Sequence, residues 1–358
     1  MLPIFILDDS PVPACFGLTA SLWANQLNLP LWSLRPDFTG DFPDSYQHVI
    51  AAGYCVTSGL YQSDTLQQEV THPAELPRQD AVIVVSLAQK ARIAALPGPR
   101  LYSQFSAEKL SLHDQQQLLL EYALQPTAPR QNRALPLGVV GREADHRQAC
   151  PATLAALDHA AIALDLGIEI RFLDAATLPA DLHQLAGLAG VVLPGGASMA
   201  AVGGQIKLAA ATLKSGLPTL GLCLGMQSMA TAAVHLSEGY QQAMLAEVDP
   251  SAPLHSFIRF SDGRHRCGVL PFASTLLPAY LSRMHYNHRY HFNPALLPQL
   301  AASGVQISAE TAGIVEAISQ PDLPFWHGVQ GHPELLSRPD APHPLFTAFL
   351  QAAISQSA

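Results

Sequence analysis

The sequence predicts an α/β protein: a mostly parallel sheet flanked by helices in its C-terminal part, preceded by a smaller α/β domain. Three observations lead there. Strand-length apolar runs alternate with longer helix-like stretches, the order that builds parallel sheets. The chain has 358 residues, 49% hydrophobic and 13% charged, enough apolar content for a folded core and enough length for two domains. A polar stretch at 126–135, carrying Pro126 and Pro129, interrupts the pattern and reads as a linker.

Taken in order, residues 3–7 and 81–86 read as strands and residues 18–27 and 111–122 as helices, which makes 1–125 a small α/β domain. Its chemistry is not legible. Beyond the linker, in 136–358, strands are expected at 137–140, 169–173, 190–193 and 219–222, with helices at 152–164 and 206–213. A parallel sheet of this kind is covered on both faces and opens its ligand crevice at the carboxyl ends of its strands.

Charge and cysteine usage exclude several classes. With 19 basic against 28 acidic residues the net charge is -9, and no basic run appears, so neither nucleic acid nor an anionic membrane is an expected partner. No apolar run approaches the roughly 20 residues of a membrane crossing. The first residues lack the basic region and small-residue cleavage site of a secretory signal. Five cysteines without CxxC spacing suit free thiols in a reducing cytosol, so a cytoplasmic location is expected, with no disulfide framework and no metal site.

Three segments carry chemistry. Gly221-Leu222-Cys223-Leu224-Gly225 ends an apolar strand at a cysteine and enters a helix. Glycines on either side let neighbouring backbones come close, and the helix N-terminus favours a thiolate. A buried structural cysteine beside two packing glycines is the alternative. His332-Pro333-Glu334 offers an imidazole base and a carboxylate to hold its tautomer, or else a surface loop. Leu193-Pro194-Gly195-Gly196 ends a buried strand in bare backbone N–H groups, fit for an oxyanion or for an ordinary tight turn.

Together these segments resemble the class I glutamine amidotransferases, and among them the glutaminase domain of CTP synthases. Landmarks in family order are Leu137-Gly138-Val139-Val140-Gly141, Leu193-Pro194-Gly195-Gly196, Gly203-Gly204-Gln205-Ile206, Gly221-Leu222-Cys223-Leu224-Gly225-Met226-Gln227, Asn287-His288-Arg289-Tyr290 with Asn293, and Gly328-Val329-Gln330-Gly331-His332-Pro333-Glu334. The resemblance spans 136–358 and implies a flavodoxin-like layering with L-glutamine as substrate. It implies Cys223 as nucleophile, His332 as general acid and base, and Glu334 as its orienter. It further implies Gly196 and Leu224 as oxyanion donors, Arg289 for the substrate carboxylate, Glu247 for its ammonium, and Gly195, Gln227 and Tyr290 in the pocket. A free amino acid presents charges that suit an Arg and a carboxylate. Glu247 also reads as a solvated surface acid, and the histidines of His285-Tyr286-Asn287-His288 with His291 read as a packed polar strand.

Two departures stand out. Gly331 replaces the usual phenylalanine, which is expected to remove an apolar wall beside His332 and widen the pocket; His291-Phe292 replace Glu-Val. The family's amidoligase domain has a lysine-bearing phosphate loop, whereas residues 4–25 share only the strand-loop-helix order, with no lysine. Residues 1–125 therefore read as a degenerate amidoligase or an unrelated module, and CTP synthesis by this chain alone is not expected. No cofactor is implied. The expected activity is glutamine hydrolysis with ammonia passed to an acceptor on the first domain or on a partner synthetase. Alternatives are a related cysteine hydrolase or transferase on another amide, or a non-catalytic regulatory homologue.

Overall fold

The computed structural model describes residues 1–38, 40, 66–106, 109–123, 134–196, 199–274 and 282–357. The chain forms two compact units, Met1–Ala128 with Ala144–Ala155, and Pro129–Glu143 with Ala156–Ala358. Most of the expected linker, 126–133, lies outside the described residues.

The first unit is built on β1 (Ile4–Asp8), whose five residues are all buried. It runs parallel to β4 (Val82–Ser86) and β5 (Arg100–Phe105) on either side. β2 (Leu31–Leu34) and β3 (Leu66–Val70) continue the parallel part, and β6 (Lys109–Asp114) and β7 (Gln117–Ala123) close the other edge antiparallel. The order is β3-β2-β4-β1-β5-β6-β7. Helix α1 (Leu18–Leu27) occupies the expected range and ends at Asn28, whose left-handed φ of 53° turns its N–H back to Ala24 and Asn25.

The helix expected over 111–122 is instead the β6–β7 hairpin. Leu110 and Leu112 are fully buried and alternate with more exposed neighbours, a period of two, while Gln115 turns the chain at φ 52°. The Leu- and Gln-rich composition favours a helix in isolation, but pairing beside β5 buries those leucines, and tertiary burial outweighs propensity.

The second unit contains β8 (Leu135–Val140), β9 (Ile168–Leu173), β10 (Gly190–Leu193), β11 (Thr219–Leu222), β17 (Gln306–Thr311), β18 (Ile314–Ser319) and β19 (Trp326–Val329) in the order β17-β18-β19-β11-β10-β8-β9. The five strands from β19 to β9 are parallel, as expected, and β17 and β18 are antiparallel. Its helices are α2 (Ala152–Ala163), which begins in the first unit, α3 (Met199–Ser215), α4 (Leu224–Val234), α5 (Leu297–Ala302) and α6 (Pro344–Ser357). Both faces of the sheet are covered. A side chain at Gly190 would strike Phe349 of α6, whereas Leu193, three residues on and facing the other way, meets Gly225 of α4. Between β11 and β19 the chain adds a three-stranded sheet of β12 (Ala243–Leu245), β13 (Leu254–Arg259) and β16 (Tyr290–Phe292), and a hairpin of β14 (Arg266–Pro271) and β15 (Arg283–His288).

Candidate active site at the ends of three parallel strands

β10, β11 and β19 lie side by side in register, Leu193 opposite Gly221 and Leu222 opposite Val329. Parallel neighbours deliver their carboxyl ends to one edge. Gly195, Cys223 and His332, distant in sequence, therefore emerge together.

Cys223 sits between β11 and α4 with φ 48° and ψ −106°, a strained conformation for a residue bearing a Cβ. The bracketing glycines make the turn possible. A Cβ on Gly221 would strike the Met229 side chain and the Met226 backbone, and one on Gly225 would strike the Leu193 carbonyl. Cys223 is 8% exposed, and its thiol points to the Asn287 carbonyl at 3.9 Å. Elsewhere, in the first unit, Cys15 is pushed up to about 11 by burial and by Asp8, which leaves it a protonated thiol.

His332 lies across Gly195 from the cysteine. An added Cβ on Gly195 would fall 2.7 Å from His332 Cε1 and 3.1 Å from Cys223 Cβ, so only a glycine lets the two approach. His332 Nδ1 is 2.7 Å from Glu334 Oε1, and its backbone N–H donates to the His285 carbonyl at 2.7 Å. Burial pulls the His332 pKa down, but the Glu334 carboxylate and then the Cys223 sulfur more than reverse this, leaving it well above its ordinary value. Nε2 is buried without a well-formed hydrogen bond, close enough to the sulfur for opposite charges on the two to stabilise each other.

The widening expected from Gly331 does not occur. Met284 of β15 fills the space, since a side chain on Gly331 would collide with Met284 and come within 2.9 Å of the His285 carbonyl. A flexible thioether thus stands where a phenylalanine was expected, and the imidazole is held at both its backbone and Nδ1.

Gly196, at φ 60°, follows Gly195 in the chain, and Leu224, next after Cys223, is the first residue of α4. As a first helical residue, Leu224 has an N–H with no intrahelical acceptor. Gln227 is buried one turn into α4, and its Nε2 donates to Gln330 Oε1 at 3.3 Å. Gln330 in turn directs Nε2 at the Cys223 sulfur at 3.7 Å. Sequence reasoning did not single out Gln330; its signal is a polar residue directly after the apolar strand β19.

Glu247 and Arg289 lie far apart in the chain but within electrostatic reach. Glu247 is exposed as a residue, yet crowding of its carboxyl raises its pKa, and the Arg289 charge opposes that rise. Tyr290 packs against the hydrophobic core, and its carbonyl accepts from His288 Nδ1 at 2.7 Å. Burial pushes His285 and His288 down to about 3, so both are neutral. Arg266 pairs with Glu316 at 2.7 Å and stacks over Tyr286, whose hydroxyl is pushed up by burial and by Glu316. His291 stacks on Phe260 at 4.9 Å. Among the described residues no cluster of three or more His, Cys, Asp or Glu could hold a metal ion, and no helix is long and apolar enough to cross a membrane.

A family model, glutamine amidotransferase class-I, matches residues 153–352. The chain belongs to this family. Class I amidotransferases similar to it include CTP synthase of Trichormus variabilis, 34% identical over 240 residues, covering 62% of this chain and 44% of that protein. CTP synthase of Acidobacterium capsulatum is 30% identical over 286 residues, covering 71% and 51%. The chain thus spans about half the length of these curated relatives. The glutaminase domain of CTP synthase from Trypanosoma brucei, solved with bound acivicin, shares the fold: TM-score 0.57, 24% identity, 62% of this chain and 94% of that one. By family the chain is thus a class I glutamine amidotransferase, and its fold is similar to that of a CTP synthase glutaminase domain.

Proposed function

We propose that the chain hydrolyses the side-chain amide of glutamine through Cys223, His332 and Glu334. The observation that carries this is the Glu334–His332 pair at 2.7 Å, with the buried Nε2 beside the sulfur. The thiolate attacks the amide carbon, forming a C–S bond. Electron density moves to the amide oxygen, which the N–H groups of Gly196 and Leu224 receive. The imidazolium gives its proton to the leaving nitrogen, and the C–N bond breaks to release ammonia. Water, deprotonated by the same imidazole, then cleaves the thioester, giving glutamate and restoring the thiolate. Arg289 holds the α-carboxylate, Glu247 the α-ammonium, and Gln227, Gly195 and Tyr290 complete the pocket.

Ammonia passes to an acceptor held by residues 1–125 or by a partner synthetase. The first unit is not assigned CTP synthesis. Asp8 accepts the N–H groups of Ser10 at 2.8 Å and Gly17 at 2.9 Å, so the chain's own carboxylate takes up amides that a phosphate would need. A cavity of about 420 Å³ at the ends of β1 and β4 is lined by Asp8, Asp9, Ser10, Ser86, Leu87 and Ala88, two acids and no base, the wrong charge for a triphosphate.

Ammonia release from glutamine by the purified full chain tests the reading. Activity in the wild type that is lost in Cys223→Ala supports it. No release from a folded wild-type protein refutes it.

A further inference from the structure

Gln330 is fully buried one residue beyond β19, and the Glu316 carbonyl of β18 holds its backbone N–H at 2.7 Å. Its side chain bridges Gln227, which donates to its Oε1 at 3.3 Å, and Cys223, which receives its Nε2–H at 3.7 Å. The direction is the one that the thiolate form of Cys223, the form in which a cysteine attacks, requires. A thiolate has only lone pairs; an inverted carboxamide would set an oxygen against the sulfur and an NH₂ against that of Gln227. With this direction, Gln227 Oε1 is buried and has no hydrogen-bond partner among the described residues.

We propose that Gln330 is a thiolate-binding residue of this site, and that it turns the Gln227 carbonyl toward an N–H of the substrate. The part about substrate rests on the proposed glutaminase reading; the part about sulfur does not. The N–H···S contact is strongest to an anion and weakens once the sulfur is acylated. It therefore acts twice: it holds the attacking thiolate, and it stabilises the sulfur again as the C–S electron pair returns to sulfur when water breaks that bond. Gln330 thus lowers the energy of the sulfur anion in both half-reactions, while His332 handles the protons.

The test measures the rate at which iodoacetamide alkylates Cys223 in the full chain without glutamine, at one neutral pH, beside the ammonia-release kinetics. Gln330→Met keeps the length and removes the donor. Losing one hydrogen bond to a charged group cuts the thiolate fraction about tenfold or more; the greater nucleophilicity of the more basic thiolate offsets part of this, so alkylation is expected to fall about three- to fivefold or more. Gln330→Glu keeps the shape but sets a carboxylate against the sulfur, and the expected rate is lower still. kcat should fall in the same order. A purely structural role would instead favour the isosteric Glu variant, so Glu equal to or faster than Met overturns the proposal, as does wild-type speed in Gln330→Met. If Gln330→Met does not fold, Gln330→Asn, which withdraws the amide, replaces it with the same expected loss. Normal alkylation of wild type without ammonia release sinks the glutaminase reading and leaves Gln330 standing; glutaminase activity with unchanged alkylation in folded variants does the reverse.

Discussion

Replacing Gly195 with alanine adds one methyl group where the chain has the least room for it. Its Cβ would lie 2.7 Å from His332 Cε1 and 3.1 Å from Cys223 Cβ. Non-bonded carbons rest at about 3.5 Å or more, so the imidazole must retreat by about 0.8 Å or tilt away from the sulfur. Gly195 is not among the positive-φ positions, and its backbone accepts an alanine. The cost therefore falls on the geometry between sulfur and imidazole. A displacement of about 1 Å between reacting groups lowers rates by about 10²-fold, and that is the expected loss in kcat for ammonia release. The melting temperature should change little. A folded Gly195→Ala protein with wild-type kcat would refute the claim that this glycine sets the approach of His332 to Cys223.

Glu334→Gln removes the charge but keeps the shape. Because the folded His332 pKa lies above the ~6.5 of an unfolded histidine, the contribution of the pair is complete below that pH and is lost as pH rises through the folded value. The variant should lose about 1.5–3 kcal/mol near pH 6 and less in alkali, read by urea unfolding at several pH values; a deficit that grows with pH would contradict this. Arg289→Lys should raise KM for glutamine about tenfold with a smaller change in kcat, since an ammonium cannot grip a carboxylate with two parallel bonds; an unchanged KM removes Arg289 from the substrate site. Arg266→Met leaves the fully buried Glu316 without its partner and should cost about 3–5 kcal/mol of stability by denaturant titration, with a smaller cost showing that Glu316 is held otherwise.

The local turns were legible because their chemistry is local. Helix α1, β10 and β11 occupy the ranges expected from apolar runs, and the Cys223 turn shows in its two glycines. All ten expected site residues lie in the second unit. What failed was the 111–122 helix, where composition favours one state and the neighbouring strand selects another. The pocket at Gly331 failed for a similar reason. Deleting a large side chain says nothing of which distant residue moves in, and Met284 does.

By itself the sequence determined the kinds of group present: a thiol at the end of a strand, an imidazole two residues from a carboxylate, and bare amides after a buried run. Covalent spacing suffices for those, because each group is set by a few neighbouring φ and ψ angles. Only the tertiary structure decided which strands stand side by side, and so that the residues after β10, β11 and β19 share one edge while Gln330 reaches across to the sulfur. Strand order depends on long-range burial, and no local pattern of residues encodes it.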